Sequence, residues 1–268
     1  KNYYVVMSRY IARVTDSVLS GKYGLYSNFG TDIVFKNNRL YITKYGIHLS
    51  ASVSLIVENN VFIGGEIMPL SIPLSENSTT KILSNTFTGF GMEAIDIRTS
   101  KQLYSIDVEI TDNIFANSQG TQVVFVKAPA TLYNLVIDRN EFTNCSTGIY
   151  VLSSATSISG NTFINADSTH DIYYTGQSDF LCNENYFGAD ANAYLDRVYT
   201  SGGSPIISTV RTLTPFDSYR VVVSDIAWSH LVSIPYGIEI ASTATLTVVA
   251  GTVITIAAGK NVVINSDV

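Results

Sequence analysis

A short motif, Asn-x-Phe, recurs at nearly even intervals, and this repeat constrains the fold more than any other feature. The copies begin at Asn60, Asn85, Asn113, Asn140, Asn161 and Asn185, and place Phe62, Phe87, Phe115, Phe142, Phe163 and Phe187 two residues later. Two weaker copies, Asp16-Ser17-Val18 and Asn38-Arg39-Leu40, precede them, so that consecutive copies are 21 to 28 residues apart. A repeat of this length predicts a solenoid in which each copy belongs to one coil.

Two further patterns recur with the motif. The residue three positions before each Asn is apolar, with Arg13 in the first copy as the exception; the others are Phe35, Val57, Ile82, Ile110, Ile137, Ile158 and Cys182. Apolar and polar residues alternate after the motif, as in Gly46-Ile47-His48-Leu49, and this period of two is typical of strands. We therefore expect the Asn side chains, Asn38 included, to form a hydrogen-bonded ladder at the strand spacing of about 4.8 Å. The Phe rings should form a buried stack.

The order Gly-Ile-x-Leu, apolar strand, Asn-x-Phe resembles the repeat of the parallel β-helix family, which pectate lyases, polygalacturonases, phage tailspikes and many surface proteins share. Residues 148–163 follow this order closely, and the resemblance covers about residues 13–190. It implies an all-β, right-handed parallel β-helix. Residues 185–188 and 228–264 are similar to the closing segments of bacterial and archaeal extracellular surface proteins.

We predict from these segments that residues 1–200 form the coils of the β-helix. Residues 201–268 should add further short β coils after a linker near 201–205, where Gly-Gly-Ser-Pro punctuates the chain.

Composition excludes several classes of partner. Charged residues make up 14% of the chain and the net charge is −6, with no basic run, so that we expect no nucleic-acid partner. The longest weakly polar stretch, residues 244–258, is broken by Thr and Gly and is shorter than the roughly 18 residues of a membrane helix. We expect no membrane insertion. Low charge together with the resemblance favours an extracellular or cell-surface location.

The cysteines and histidines give no sign of metal or redox chemistry. By the repeat, Cys145 and Cys182 lie nearly two coils apart, or roughly 9 Å along the axis. A disulfide joins Cα atoms that are about 4.4–6.8 Å apart, so that both thiols should stay reduced. Because the Cys and His residues have no metal-ligand spacing, we predict neither a metal site nor a cofactor.

Outward positions on the strand after each motif form the candidate ligand-binding site. They are Tyr26, His48, Asp96, Tyr150 and Tyr173, with Arg98 beside Asp96. The resemblance implies that catalytic relatives place their acids in this column, and such chemistry needs several acids close together. Only Asp96 qualifies, and His48 should lie two coils, roughly 10 Å, away. We predict no catalytic residues, while the tyrosines are either plain surface residues or a platform for sugar rings.

Three functions remain open. The first is a non-catalytic, adhesin-like structural module that binds polysaccharide and stacks head to tail with copies of itself or with further coils of a parent chain. Strand-like sequences at Tyr3-Tyr4-Val5-Val6 and Val262-Val263-Ile264, without a visible cap, favour such stacking. The second is a polysaccharide lyase or glycoside hydrolase that acts in a groove near Asp96. The third is a trimeric phage receptor-binding spike.

Overall fold

The computed structural model of the protein describes residues 4–8, 11–27, 30–50, 52–65, 68–98, 106–118, 120–127, 134–152, 157–165, 170–188, 194–211, 219–222, 225–228, 231–234, 237–256 and 261–265. Tyr3, which the sequence places in the first strand, lies outside these ranges. The described residues form 32 short strands and one four-residue helix.

The elements in chain order are β1 (Tyr4–Ser8), β2 (Ile11–Thr15), β3 (Val18–Ser27), β4 (Gly30–Lys36), β5 (Arg39–Leu49), β6 (Ser52–Glu58), β7 (Val61–Ile63), β8 (Met68–Pro73), β9 (Thr79–Leu83), β10 (Thr86–Thr88), β11 (Ile95–Arg98), β12 (Asp107–Thr111), β13 (Ile114–Ala116), β14 (Val124–Lys127), β15 (Asn134–Asp138), β16 (Glu141–Thr143), β17 (Ile149–Val151), β18 (Ser157–Ser159), β19 (Thr162–Ile164), β20 (Ile172–Tyr174), β21 (Phe180–Leu181), β22 (Asn185–Tyr186), α1 (Tyr194–Arg197), β23 (Val198–Thr200), β24 (Pro205–Ile206), β25 (Thr209–Arg211), β26 (Tyr219–Val222), β27 (Ile226–Trp228), β28 (Leu231–Ile234), β29 (Gly237–Ile240), β30 (Leu246–Val248), β31 (Val253–Ile256) and β32 (Val262–Ile264).

The strands stack as a parallel solenoid, as the repeat predicts. Strands β2, β4, β6, β9, β12, β15, β18, β21 and β24 form one parallel sheet, which we call the back sheet. A second series, β7, β10, β13, β16, β19, β22 and β25, follows the Asn turns, and a third, β8, β11, β14, β17, β20 and β23, carries the candidate site. In two early coils the second and third series are continuous, as β3 and β5. Each later coil therefore has three strands.

A left-handed turn joins the back sheet to the second series. The residue before each ladder Asn has a positive φ of 54–58° in Asn37, Asn59, Ser84, Asp112, Arg139 and Glu184, and of 69° in Gly160. Such a conformation costs a residue with a side chain about 1–2 kcal/mol. Its recurrence in residues as different as Arg139 and Glu184 shows that the turn, and not the residue type, sets this backbone geometry.

The position of the first copy is corrected by one residue. Ser17, and not Asp16, matches Asn38, because the Ser17 backbone N–H donates to Asn38 Oδ1 at 3.0 Å. Asp16 takes the left-handed position, with φ of 53°. The apolar residue three positions earlier is then Val14, which pairs with Phe35, and the apparent exception disappears. From the sequence alone, Asp16 is the better match to Asn38, because Asp is closer to Asn in chemistry than Ser is.

The Asn ladder is confirmed and runs without interruption. In each link the Nδ2 group of one Asn donates to Oδ1 of the next, over 2.9–3.1 Å. The links join Asn38, Asn60, Asn85, Asn113, Asn140, Asn161 and Asn185 in that order. Each Oδ1 also accepts the backbone N–H of the Asn before it, and each of these Asn residues is at most 2% exposed. The ladder thus satisfies buried polar groups that water cannot reach.

The Phe stack is confirmed as well. Neighbouring rings of Phe62, Phe87, Phe115, Phe142, Phe163 and Phe187 have centroids 4.7–5.3 Å apart and planes within 5–15° of parallel. The stack explains the glycine that opens some coils. A Cβ atom would lie 2.8 Å from the Phe62 ring at Gly46, and 2.6 Å from the Phe163 ring at Gly148.

Residues 201–205 belong to a coil and are not the linker that the sequence suggested. Strand β24 pairs with β21, which places Pro205 beside Phe180. The sequence predicts a linker here because Gly and Pro usually mark turns and loops. At Gly203 a Cβ atom would lie 1.9 Å from a backbone oxygen of the preceding coil, so that glycine permits close stacking there.

The strand direction reverses after β25. Strand β26 pairs with β25 in antiparallel fashion, and β29 and β32 then continue in parallel with β26. Strands β27 and β30, and strands β28 and β31, form two more parallel pairs. The division of the chain at residue 200 stays a prediction.

Replacing Asn113 by Leu should lower the free energy of unfolding by about 1–3 kcal/mol, because the neighbouring buried amides and carbonyls lose their partners. Urea denaturation followed by circular dichroism measures the change. Asn134→Leu is the matched control, since this half-buried strand residue lies outside the ladder. Equal unfolding midpoints for the two variants would contradict the stabilising role of the ladder.

Candidate functional site

All five residues of the predicted ligand-binding site lie in one column on the outside of the third strand series. Strand pairing places the following side chains in register, one per coil: Tyr26, His48, Ser71, Asp96, Phe125, Tyr150, Tyr173 and Tyr199. We call this set the outer column. Ser71, Phe125 and Tyr199 were not predicted as members. Ser71 and Phe125 lie 11 and 12 residues after their Asn, as Asp96 and Tyr173 do, so that counting from the motif would have found them. Tyr199 lies 14 residues after Asn185, beyond the spacing of the other coils.

Four aromatic rings stack at one end of the outer column. The centroid distances are 5.5 Å from Phe125 to Tyr150, 4.3 Å from Tyr150 to Tyr173 and 4.4 Å from Tyr173 to Tyr199. Tyr199 is 37% exposed and the two central tyrosines are half-buried. Within the described part of the chain, none of the three phenol oxygens forms a hydrogen bond. Because the rings cover one another's faces, a ligand can reach mainly their edges and hydroxyl groups.

A second aromatic group lies at the other end of the outer column. The His48 ring stacks on Tyr26 at 5.3 Å and lies 4.9 Å from Tyr45. Burial lowers the pKa of His48, and its Nδ1 atom has no hydrogen-bond partner among the described residues. Ser71 lies between His48 and Asp96 in the column, so that the two titratable groups are two coils apart as predicted. Direct proton transfer between them is excluded.

Asp96 belongs to a three-residue charge cluster. The Arg98 guanidinium donates to Asp96 Oδ1 at 2.5 Å and lies 3.5 Å from Glu93 Oε1. Both carboxylates are buried, whereas Arg98 is half-exposed and covers the Phe125 ring at 4.5 Å. Glu93 was missed because it lies in the irregular turn before β11, where no strand pattern indicates its direction. The Arg98 guanidinium thus pairs with two carboxylates and also covers a face of the Phe125 ring at the end of the aromatic stack.

The Asp96 carboxyl titrates above its ordinary pKa of 3.8. Burial is the main cause; the hydrogen bond and charge of Arg98 oppose it, and the charge of Glu93 adds to it. Asp96 is therefore a partly desolvated acid that is held by an ion pair. It does not project freely into a groove, as a general acid or a nucleophile would.

A buried polar network supports the strands below the tyrosines. Arg197 donates to Asp171 Oδ2 and Asn165 donates to Asp171 Oδ1, both at 2.8 Å. Asp171 is fully buried, directly before strand β20, which carries Tyr173. Losing one partner of such a network leaves an unpaired buried charge, which is costly. This network fixes the end of α1 against the coil and so helps to position Tyr173 and Tyr199.

The thiols and the described acids offer no metal site. Both cysteines are free and buried, as the spacing predicts. Burial raises the pKa of the Cys145 thiol to about 11 and that of the Cys182 thiol to about 12. Within the ranges given above, no three His, Cys, Asp or Glu side chains come close enough to hold a metal ion. Over the same ranges, no helix has the length and apolar character needed to cross a membrane.

A shallow depression on the back sheet lies away from the outer column. It has a volume of about 180 Å³ and is lined mainly by polar side chains, among them Thr79, Asp107 and Asn134. An ion pair between Lys81 and Glu109, 3.1 Å long, crosses it. It adds no group to the chemistry of the outer column.

Comparison with protein families agrees with this architecture. The family model described as "Right handed beta helix region" matches residues 71–203. The model described as "Periplasmic copper-binding protein (NosD)" matches residues 4–128. Comparisons with curated proteins and with solved structures gave no match. The two matched ranges together follow the coils from residue 4 to residue 203, and the predicted right-handed parallel β-helix is confirmed.

Replacing Asp96 by Asn should change how stability depends on pH. Because the pKa of Asp96 is raised, the folded state holds more protons than the unfolded state just above pH 3.8, and the free energy of unfolding falls as pH rises through that window. Asn has no carboxyl group to titrate, so that the variant does not lose stability in this way as pH rises. Relative to wild type, the variant should therefore gain stability between acidic and neutral pH, measured by urea denaturation. Asp107→Asn, at an exposed carboxylate, is the control; equal behaviour of the two variants would contradict this account.

Proposed function

We propose that the chain, which folds as a right-handed parallel β-helix, is a non-catalytic, adhesin-like extracellular scaffold that binds a linear polysaccharide along its outer column. The observation that carries the proposal is the row of phenol groups at Tyr150, Tyr173 and Tyr199. Parallel pairing puts one hydroxyl in each successive coil, at the strand spacing of about 4.8 Å. A polymer that lies along the solenoid axis meets these groups in turn.

The proposed contacts are hydrogen bonds to ring edges and not sugar rings stacked on aromatic faces. The faces of Tyr150 and Tyr173 are covered by neighbouring rings. Phenol hydroxyls both donate and accept, so that they suit the hydroxyl groups of a glycan. Several weak contacts along one polymer then add up, which favours long ligands over single sugars.

An uncharged polysaccharide fits this surface better than a polyanion. The net charge of −6 repels anionic polymers at long range. The guanidinium of Arg98, beside the aromatic stack, is already neutralised by Asp96 and Glu93. The outer column therefore offers hydroxyl groups and few free charges.

Location outside the cytoplasm is part of the proposal. It is supported by the low content of charged residues, 14%, and by the word "periplasmic" in the description of the NosD model. The cell surface and the periplasm both satisfy it.

Copper, which the same description names, does not fit the described residues. Protein sites for copper use imidazole, thiolate and thioether ligands close together. His48 and His170 lie in different coils, and Cys145 and Cys182 lie outside the matched range 4–128. The described residues hold no group of three or more His, Cys, Asp or Glu side chains that could bind a metal ion. We therefore derive no chemistry from copper.

The enzyme alternative near Asp96 is less favoured. Asp96 and Glu93 are both buried and both directed to Arg98, whereas hydrolysis of a glycosidic bond needs acids that face the substrate from two sides. A lyase or hydrolase would have to break this ion pair before it could act.

The double variant Tyr150→Phe/Tyr173→Phe tests the binding proposal, because it removes two hydroxyls and keeps both rings. For a neutral glycan identified on an array, we expect Kd to rise about 5- to 150-fold, equivalent to two net hydrogen bonds of roughly 0.5–1.5 kcal/mol each. Isothermal titration calorimetry measures the change. Tyr41→Phe is the control, since Tyr41 lies in another column and its hydroxyl accepts a bond from Arg39 at 2.6 Å.

The same panel tests the absence of catalysis. A silent array, or an equal Kd for the double variant and the control, would contradict binding along the outer column. Incubation with pectins, alginates and glucans should release no products. Turnover that Asp96→Asn abolishes would support the enzyme alternative.

End-to-end association of copies is a second candidate function, and the last described coil favours it. Ile240 is fully buried, whereas Ile264, its partner in the next strand, is 61% exposed. An exposed apolar side chain beside an open strand edge is a surface that another coil can cover. The added coil would come from a second copy or from further coils of a parent chain.

Ile264→Asp should reduce self-association, because a carboxylate at this position cannot be buried without a partner. Sedimentation velocity over a range of concentrations compares the variant with Ile114→Asp, at an exposed position on β13, which has a partner strand on both sides. Open-ended growth that only Ile264→Asp suppresses is the expected result. A monomer at every concentration would rule out stacking of copies, and a closed trimer would favour the receptor-binding spike.

A further inference from the structure

The three stacked tyrosines of the outer column are placed for a covalent reaction with one another. The planes of Tyr150 and Tyr173 lie within 4° of parallel at 4.3 Å, and those of Tyr173 and Tyr199 within 17° at 4.4 Å. We propose that one-electron oxidation couples Tyr173 to Tyr150 or to Tyr199, and that the resulting dityrosine joins two successive coils. This proposal does not depend on glycan binding.

The register of the strands brings the reacting atoms together. Tyr150, Tyr173 and Tyr199 are direct partners in parallel strands and their rings stack face to face, which brings the ring carbons of neighbouring tyrosines near one another. The tyrosine pair Tyr23 and Tyr45 is also stacked, but its centroids are 5.9 Å apart. Coupling should therefore favour the three tyrosines of the outer column over that pair.

The chemistry balances with a peroxide as the oxidant. A peroxidase that uses hydrogen peroxide removes one electron and one proton from each of two phenols, which gives two phenoxyl radicals. The radicals pair to form one carbon–carbon bond between the two ring carbons next to oxygen. Each of these carbons then loses its hydrogen as a proton while the phenol O–H re-forms. Overall, two C–H bonds are replaced by one C–C bond, and the peroxide is reduced to two water molecules.

Two features of the structure favour coupling over competing reactions. Tyr199 is 37% exposed, so that an oxidant in solvent can reach one end of the stack. The thiols of Cys145 and Cys182, which could otherwise quench a tyrosyl radical, are both buried. Phe125 ends the stack on the other side and has no phenol to react.

A link between coils should hold the solenoid closed at this end. Joining Tyr150 to Tyr173 closes a loop that contains strands β18 and β19 and the ladder residue Asn161. A cross-link of this kind restricts the unfolded chain, so that the melting temperature should rise.

The test treats the complete chain with horseradish peroxidase and hydrogen peroxide at low protein concentration. Gel filtration isolates the monomer, and its dityrosine is measured by fluorescence and by the loss of two hydrogens in the mass spectrum. Cleavage after Asp and Glu separates the three tyrosines into the peptides 142–167, 172–179 and 197–217. The expected product joins 172–179 to one of the other two.

Tyr173→Phe keeps the ring stack but leaves Tyr150 and Tyr199 two coils, about 10 Å, apart. We expect it to lose the dityrosine of the monomer, and the double variant Tyr150→Phe/Tyr199→Phe to lose it too. Tyr41→Phe should react as wild type does. The proposal is overturned if the wild-type monomer contains no dityrosine, if Tyr173→Phe forms as much as wild type, or if the link joins Tyr23 to Tyr45. Melting curves before treatment show whether each variant is folded.

Discussion

The hydrogen-bonded Asn ladder is the constraint on which the rest of the structure depends. It holds seven side chains in line from Asn38 to Asn185 although the coils differ in length by several residues. Each rung satisfies buried amides and carbonyls in a turn whose first residue is left-handed, even where that residue is Arg139 or Glu184. Because an unsatisfied buried polar group costs about 1–3 kcal/mol, the rungs offset the strain of these turns. Length differences between coils are then absorbed away from the turn.

Because the Asn turn has the same geometry in every coil, equivalent residues of successive coils align in columns. Once the ladder sets the register, equivalent residues of neighbouring coils lie side by side, separated by the spacing of adjacent strands. This holds for side chains inside the solenoid and for those outside it. The interior columns hold apolar residues such as Phe115 and Ile137, which are fully buried. The outer column is under no such demand, and there the chain places Tyr, His, Ser, Asp and Phe. A binding surface in this fold is therefore built from one residue per coil, along a line parallel to the solenoid axis.

Charged residues are few, and those that are buried in the described part of the chain are paired. Arg98 forms ion pairs with Glu93 and Asp96 beside the aromatic stack, and Arg197 binds the fully buried Asp171 below it. Both groups position aromatic side chains and neither leaves a catalytic pair free toward solvent. The outer column thus combines rigid aromatic edges with little free charge, and this combination suits ligand contact more than bond cleavage.

The sequence by itself determined the fold class, the Asn ladder, the Phe stack and five members of the outer column, because each coil contacts mainly its neighbours and a one-dimensional repeat therefore reports the three-dimensional register. Tertiary structure alone decided the rest. The match of Ser17 to Asn38 depends on a hydrogen bond between coils, and the place of Tyr199 depends on strand pairing across a long and irregular connection. The direction of Glu93 toward Arg98 follows from a turn with no periodic pattern. Periodic positions can be read from a sequence, whereas side-chain directions in turns are set by contacts that exist only once the coils have stacked.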